Sequence, residues 1–261
     1  MKTAVQLYMV RDCIASEAEI QSTLASIKEA GYDAIELCGF LMDAKWDWIR
    51  LVKESGLEVC SSHEIFEEMV EEPEKFIQKA KDFNTKYMVC AGTMKTDAES
   101  LASVNSLIAK LNELGKKFRD AGITLLYHNH NMEFAKPDGG DKTMMQLLIE
   151  GTDPELVAFE FDSYWAAIGG ANPETWMKRL GGRLKYHHIN DCRIVPQEPG
   201  NPCRVPTGCE LGKGILEMEQ LIAIDKETKV EYIVLETHEG WVDGCPIKSL
   251  KTSAEYLARK L

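Results

Sequence analysis

Along the 261 residues, a short apolar run is followed by a longer amphipathic stretch, and the pair recurs eight times. That repeat constrains the fold more than any other feature of the chain. The strand candidates are Ala4–Met9, Ala34–Cys38, Glu58–Ser62, Tyr87–Ala91, Ile123–His128, Val157–Asp162, Leu184–Ile189 and Tyr232–Thr237. They are short and rich in Val, Ile, Leu, Phe and Tyr, as parallel strands covered on both faces require. Helix candidates fall between them, near Glu17–Ala30, Ala44–Ser55, Pro73–Phe83, Ala98–Ala121, Lys142–Glu150, Pro173–Leu180, Ile215–Ile224 and Ile247–Lys260. Ser16 with Glu19 reads as a capping box, and Asp43, Asp97 and Asp141 are expected N-caps. Gly31, Gly56 and Gly122 each follow a helical run, where a left-handed residue ends a helix.

Eight β-then-α units predict a single-domain α/β fold, a (β/α)8 TIM barrel spanning residues 1–261. An open doubly wound sheet is the competing architecture, but neither G-x-G-x-x-G after the first strand nor G-x-x-x-x-G-K-[ST] is present. The longest irregular stretch, Arg193–Gly214, holds four prolines and follows the seventh strand. It reads as a lid or substrate wall on the face where barrels do chemistry, with a surface insertion or an oligomer contact as the alternatives.

A net charge of −12 argues against nucleic-acid and anionic-membrane partners, which favour clustered Lys and Arg. No 18-residue apolar run is present, and "MKTAVQLYMVRD" is too short in its apolar part for a signal peptide. The eight cysteines include no C-x-x-C pair. Reduced thiols in a cytoplasmic protein follow as the expectation.

The chemistry is concentrated at the ends of strands five to eight. "LLYHNHNMEF" ends a buried strand in His128, His130 and Glu133; "VAFEFD" ends in Asp162; "LKYHHIND" carries His188; and "YIVLETHE" carries Glu236. In a barrel these ends share one rim, and carboxylates with imidazoles suit Mn²⁺, Mg²⁺, Co²⁺ or Fe²⁺, and Zn²⁺ less specifically. Alternation puts Ala158 and Glu160 on the Asp162 side and Tyr186 and Asn190 on the His188 side, with His187 facing the helices. Glu160 then lies one layer deeper, as a supporting partner or a buried ion pair. His187 is expected to be structural, and His238 and Glu239 to be plain loop polars. His63 and Trp165 are candidates for substrate contact.

The stretches "QLYMVRD", "YDAIELCGF", "LEVCSSH", "YHNHNMEF", "DPELVAFEFDSYWAAIGGANP", "GRLKYHHIND", "ELGKGIL" and the final "YIVLETHE…SAEYLARKL" cover nearly the whole chain. Together they resemble the sugar phosphate isomerase/epimerase family, within the xylose isomerase-like barrel group. The resemblance implies a TIM-type barrel with one divalent cation, often Mn²⁺, whose ligands carry over to Glu133, Asp162, His188 and Glu236. His128 and His130 are rivals to Glu133 for coordination or proton transfer. Asn190 stands where a lysine is common in the family, and Thr237-His238 where a Gln-Asp pair is common. Both departures adjoin the expected site, and Asn190 joins the substrate-contact candidates.

The expected reaction is proton abstraction next to the carbonyl of a keto-sugar or keto-cyclitol, by Glu236 or by His128 or His130 of the fifth-strand segment. Return of the proton gives isomerisation or epimerisation. Loss of a β-oxygen substituent gives a lyase or dehydratase acting on an inosose or 3-keto-glycoside. A non-catalytic sugar-binding barrel and an abasic-site endonuclease are the other classes, the latter requiring a basic groove and more histidines than the six present. The partner is a small carbohydrate, with a homo-oligomer left open.

Overall fold

The structure is a computed structural model describing residues 1–91, 95–198 and 202–261. Among the described residues, eight parallel strands close a barrel in the order β1 (Lys2–Gln6), β2 (Ala34–Cys38), β3 (Glu58–Glu64), β4 (Tyr87–Ala91), β5 (Thr124–His128), β6 (Val157–Asp162), β7 (Leu184–Ile189) and β10 (Tyr232–Leu235), the last pairing back with β1. The intervening β8 (Asp191–Pro196) and β9 (Arg204–Cys209) form a separate antiparallel hairpin.

Two apolar layers hold the barrel. The inner one fills its lower half with Ala4, Ala34, Cys60, Val89, Leu126, Ala158, Tyr186 and Val234. The outer one lies between strands and helices, and includes Phe159 and Phe161 of β6. Helix α5 (Leu101–Asp120) shows how the helices dock: Val104, Leu107, Ile108, Leu111, Leu114 and Phe118 recur at three- and four-residue spacing and are buried. Gly115 lies on the same face because a Cβ there would come within 2.6 Å of the Leu156 carbonyl oxygen. Gly31, Gly56 and Gly122 take positive φ after their helices.

The structure departs from the sequence reading at several boundaries. β1 stops at Gln6 rather than Met9, because the Gln6 side chain accepts from the Tyr8 amide and turns the chain into the 3₁₀ segment Leu7–Cys13. Asp43 and Asp97 accept amides within their own loops, from Lys45 and Glu99. The caps are instead Asp47 for α2 (Trp48–Ser55), Ser100 for α5 and Thr143 for α6 (Met144–Gly151), where Thr143 and Gln146 complete a capping box. Ser16 caps α1 (Glu17–Glu29) by accepting from the Glu19 amide. Two short helices went unforeseen, α3 (Phe66–Glu71) and α7 (Ser163–Ile168).

The stretch Arg193–Gly214, read as irregular, contributes to both hairpin arms. Asp191 anchors the base of that hairpin: its carboxylate accepts the amides of Cys192, Gly212, Gly214 and Leu216 at 2.8 to 3.1 Å. The arms lean on the segment after β10, where the Thr207 hydroxyl donates to Glu239 and Arg193 donates to the Gly240 carbonyl.

Candidate metal centre and active site

Strand alternation delivers polar side chains to the upper half of the barrel. On β6 the inward positions are Ala158, Glu160 and Asp162; on β7 they are Tyr186 and His188, with Asp162 opposite His188 in register. On β5 the inward pair is Leu126 and His128, with His128 opposite Glu160. Glu236 follows β10 directly. His187 faces outward and pairs with Asp225 of α9 (Met218–Thr228) at 2.8 Å, both fully buried.

His128, Asp162, His188 and Glu236 offer ligand atoms that all lie within 4.8 Å of one another. All four are buried. Three of the four ligands expected from the resemblance are therefore together, and His128 takes the fourth place. Glu133 lies apart from them. It sits in the 3₁₀ turn Met132–Phe134, and its carboxylate accepts from the Tyr127 hydroxyl at 2.7 Å and the His130 amide at 2.8 Å. Tyr127 belongs to the helix-side core, so Glu133 is bonded on the outer side of β5 and lies outside the cluster.

A deeper group lies beneath this cluster. Glu160 sits against His63 Nε2 in a direct contact, with His128 Nδ1 and His188 Nε2 each 3.2 Å from the same carboxylate. Glu36 of β2 accepts from His188 Nε2 at 2.6 Å, from Gln6 at 2.8 Å and from the Ser61 hydroxyl at 2.6 Å. Sequence reasoning overlooked Glu36, although a carboxylate in the middle of the apolar run "AIELC" was a signal. A bulge in β3 at Cys60 turns both Ser61 and His63 toward this group. His63 is thus committed to Glu160 through Nε2, and its ring stacks on His188 with centroids 5.1 Å apart.

The mouth is aromatic. Trp165 lies between His130 and His238, with ring centroids 5.3 and 5.6 Å away, and Tyr8 contacts His238 at 5.2 Å. His238, expected to be a plain loop polar, stands 3.2 Å from Glu236 and belongs to the site. Glu239 instead accepts from Thr207. Asn190 accepts from the Thr237 hydroxyl at 3.0 Å, so two of the three residues that depart from the resemblance bond to each other.

Burial and neighbouring charge set the protonation states. Burial pushes Asp162 up to about 7, and pushes His130 down to about 4. Burial also drives His128 well below the usual imidazole range. At His188 burial works the same way, but the Glu160 and Glu36 charges outweigh it and hold the ring protonated. Burial opposes ionisation of Glu236 too, yet His238 and His188 hold it well below the ordinary carboxylate range.

The donor set fits a divalent cation. Two imidazoles and two carboxylates converge, and all four are buried. Such groups cost free energy unless something satisfies them. A cavity of about 550 Å³ at the opposite end of the barrel is lined by Tyr87, Tyr186, Tyr232, Glu58 and Glu231. That is the end where barrel residues serve stability.

The family model for the xylose isomerase-like TIM barrel matches residues 24–260. The chain belongs to this family. Among curated relatives, the inosose dehydratase of Clostridium botulinum is 28% identical over 142 residues, which are 53% of this chain and 45% of that enzyme. The inosose dehydratase of Clostridium beijerinckii is 26% identical over 133 residues, 51% of this chain and 43% of the enzyme. The chain thus matches less than half the length of these curated relatives. Among solved structures, a sugar phosphate isomerase/epimerase from Parabacteroides distasonis superposes with a TM-score of 0.77 at 24% identity, over 98% of this chain and 93% of that one.

Proposed function

We propose that this chain is a divalent-metal-dependent isomerase or epimerase acting on a keto-sugar or keto-cyclitol. The observation that carries the reading is the convergence of His128, Asp162, His188 and Glu236 within 4.8 Å at the rim of the barrel. These four would hold the cation, with Mn²⁺ the first choice and Mg²⁺, Co²⁺, Fe²⁺ or Zn²⁺ as rivals. When bound, it would supply Lewis-acid stabilisation of the charge that develops on a carbonyl oxygen.

The other roles belong to the chain itself. His130, kept neutral by burial and lacking a partner at Nδ1, is suited to take the proton next to the carbonyl. His238, whose pKa Glu236 raises against the effect of burial, is suited to return one. Trp165, packed against His130 and His238, is the aromatic group suited to meet the C–H side of a ring substrate. Glu236 remains a second candidate for the base.

A lyase reading stands beside this one because the curated relatives bear the name inosose dehydratase. The two differ only in whether a β-oxygen leaves. Incubation with ketoses and inososes in D₂O with Mn²⁺ separates them: exchange without elimination marks an isomerase or epimerase, and loss of water marks a lyase. A protein that binds Mn²⁺ and gives neither result is a binding barrel. Full turnover by Glu236→Gln would refute the site assignment. A cytoplasmic location belongs to the same proposal; among the described residues no helix is long and apolar enough to cross a membrane.

A further inference from the structure

Every atom that can accept on Glu36 is in use, and its donors come from three strands. Oε1 accepts from Ser61 of β3, and Oε2 accepts from Gln6 of β1 and from His188 of β7. Ser61 and Gln6 are neighbours of β2, but β7 lies across the barrel. The carboxylate therefore spans the interior to reach a histidine. It is wholly buried, and a buried charge is held there only at a cost that its partners must offset.

His188 is constrained on two sides. Its Nε2 donates to Glu36 at 2.6 Å, and its ring plane lies within 7° of the His63 ring stacked on it. Its Nδ1 faces the other way, 3.1 Å from Glu236. A histidine whose far nitrogen is bonded to a carboxylate presents its near nitrogen in a fixed orientation and with raised basicity.

We propose that Glu36 is a positioning residue of the metal centre, fixing His188 so that Nδ1 is the nitrogen offered beside Glu236. This rests on the reading of His128, Asp162, His188 and Glu236 as ligands. Glu160 does the corresponding service for His128, with Nδ1 at 3.2 Å.

The test measures Mn²⁺ affinity directly, by counting free Mn²⁺ with electron paramagnetic resonance in titrations of the full chain. Glu36→Gln keeps the shape and an acceptor for His188 but removes the charge. It is compared with wild type and with Asp225→Asn, which removes the carboxylate behind His187 on the helix side. Loss of Glu36 is expected to weaken Mn²⁺ binding by about 10- to 100-fold, with Asp225→Asn staying within about twofold of wild type. Equal affinity in wild type and Glu36→Gln overturns the proposal, and so does an equal loss in Asp225→Asn, which would mark general loosening. A wild-type chain with no Mn²⁺ affinity sinks the metal reading itself, a separate result. Should Glu36→Gln not fold, Ser61→Ala removes one anchor of the carboxylate and is expected to weaken binding by about threefold or more; unchanged affinity there overturns the proposal.

Discussion

Replacing His128 and Glu133 in turn separates two roles that lie five residues apart. Glu133 accepts two hydrogen bonds at 2.7 and 2.8 Å and is fully buried. Burial raises the Glu133 pKa, so no charge assistance is counted for Glu133→Gln. Gln keeps one acceptor but turns an amide donor on the other donor, and a buried group left unsatisfied costs about 1–3 kcal/mol. For a domain of this size that lowers the melting midpoint by roughly 3–10 °C. Metal affinity should be untouched. His128 is the converse case, one of four converging donors. Losing a group that merely supports a ligand already costs 10- to 100-fold, so losing the ligand sets a floor of about 100-fold, or about 2.7 kcal/mol, for His128→Ala. Isothermal titration with Mn²⁺ and thermal melts with and without metal give both quantities. If Glu133→Gln abolishes binding while His128→Ala spares it, the assignment is reversed and the fifth-strand geometry has been misjudged.

Three further outcomes are expected. Mn²⁺ affinity should fall on acidification, because Asp162 takes up a proton near pH 7 in the metal-free protein and His188 is held protonated by Glu160 and Glu36; each proton displaced costs up to about tenfold per pH unit, so a flat profile between about pH 5.5 and 7 would refute this. Asp225→Ala strands the buried His187 Nδ1 and should lower the unfolding free energy read from urea titration by about 1–3 kcal/mol, with metal affinity unchanged. Gly115→Ala drives a methyl to 2.6 Å from the Leu156 carbonyl oxygen, and overpacking of this kind costs about 1–3 kcal/mol, readable as a lowered melting temperature.

The barrel was legible because its signals are local and repeated: each strand is a short apolar run, and each helix carries its own stripe. The proposed ligand positions on β6 and β7 were legible for the same reason, since alternation assigns Asp162 and His188 to the interior and leaves His187 outside. The fifth strand was harder. Spacing alone cannot show that the chain after His128 turns through Met132–Phe134 and carries Glu133 behind the strand, toward Tyr127. Glu36 escaped notice because its partner His188 lies 152 residues away, a contact made only when the sheet closes. His238 looked like a loop residue, and only the packing of Tyr8 and Trp165 around it places it at the mouth. The hairpin was hidden because four prolines in the stretch argue against strands; Pro196 and Pro206 occur within its two-stranded arms, where an edge position tolerates a missing N–H.

The carboxylate of Asp191, holding four amides at the root of the hairpin three residues beyond His188, separates two kinds of change. Substitutions further out along the arms can reshape the hairpin while the end of β7 that carries His188 stays in place. Change in the hairpin and constancy at the strand end can therefore coexist in adjoining pieces of one chain.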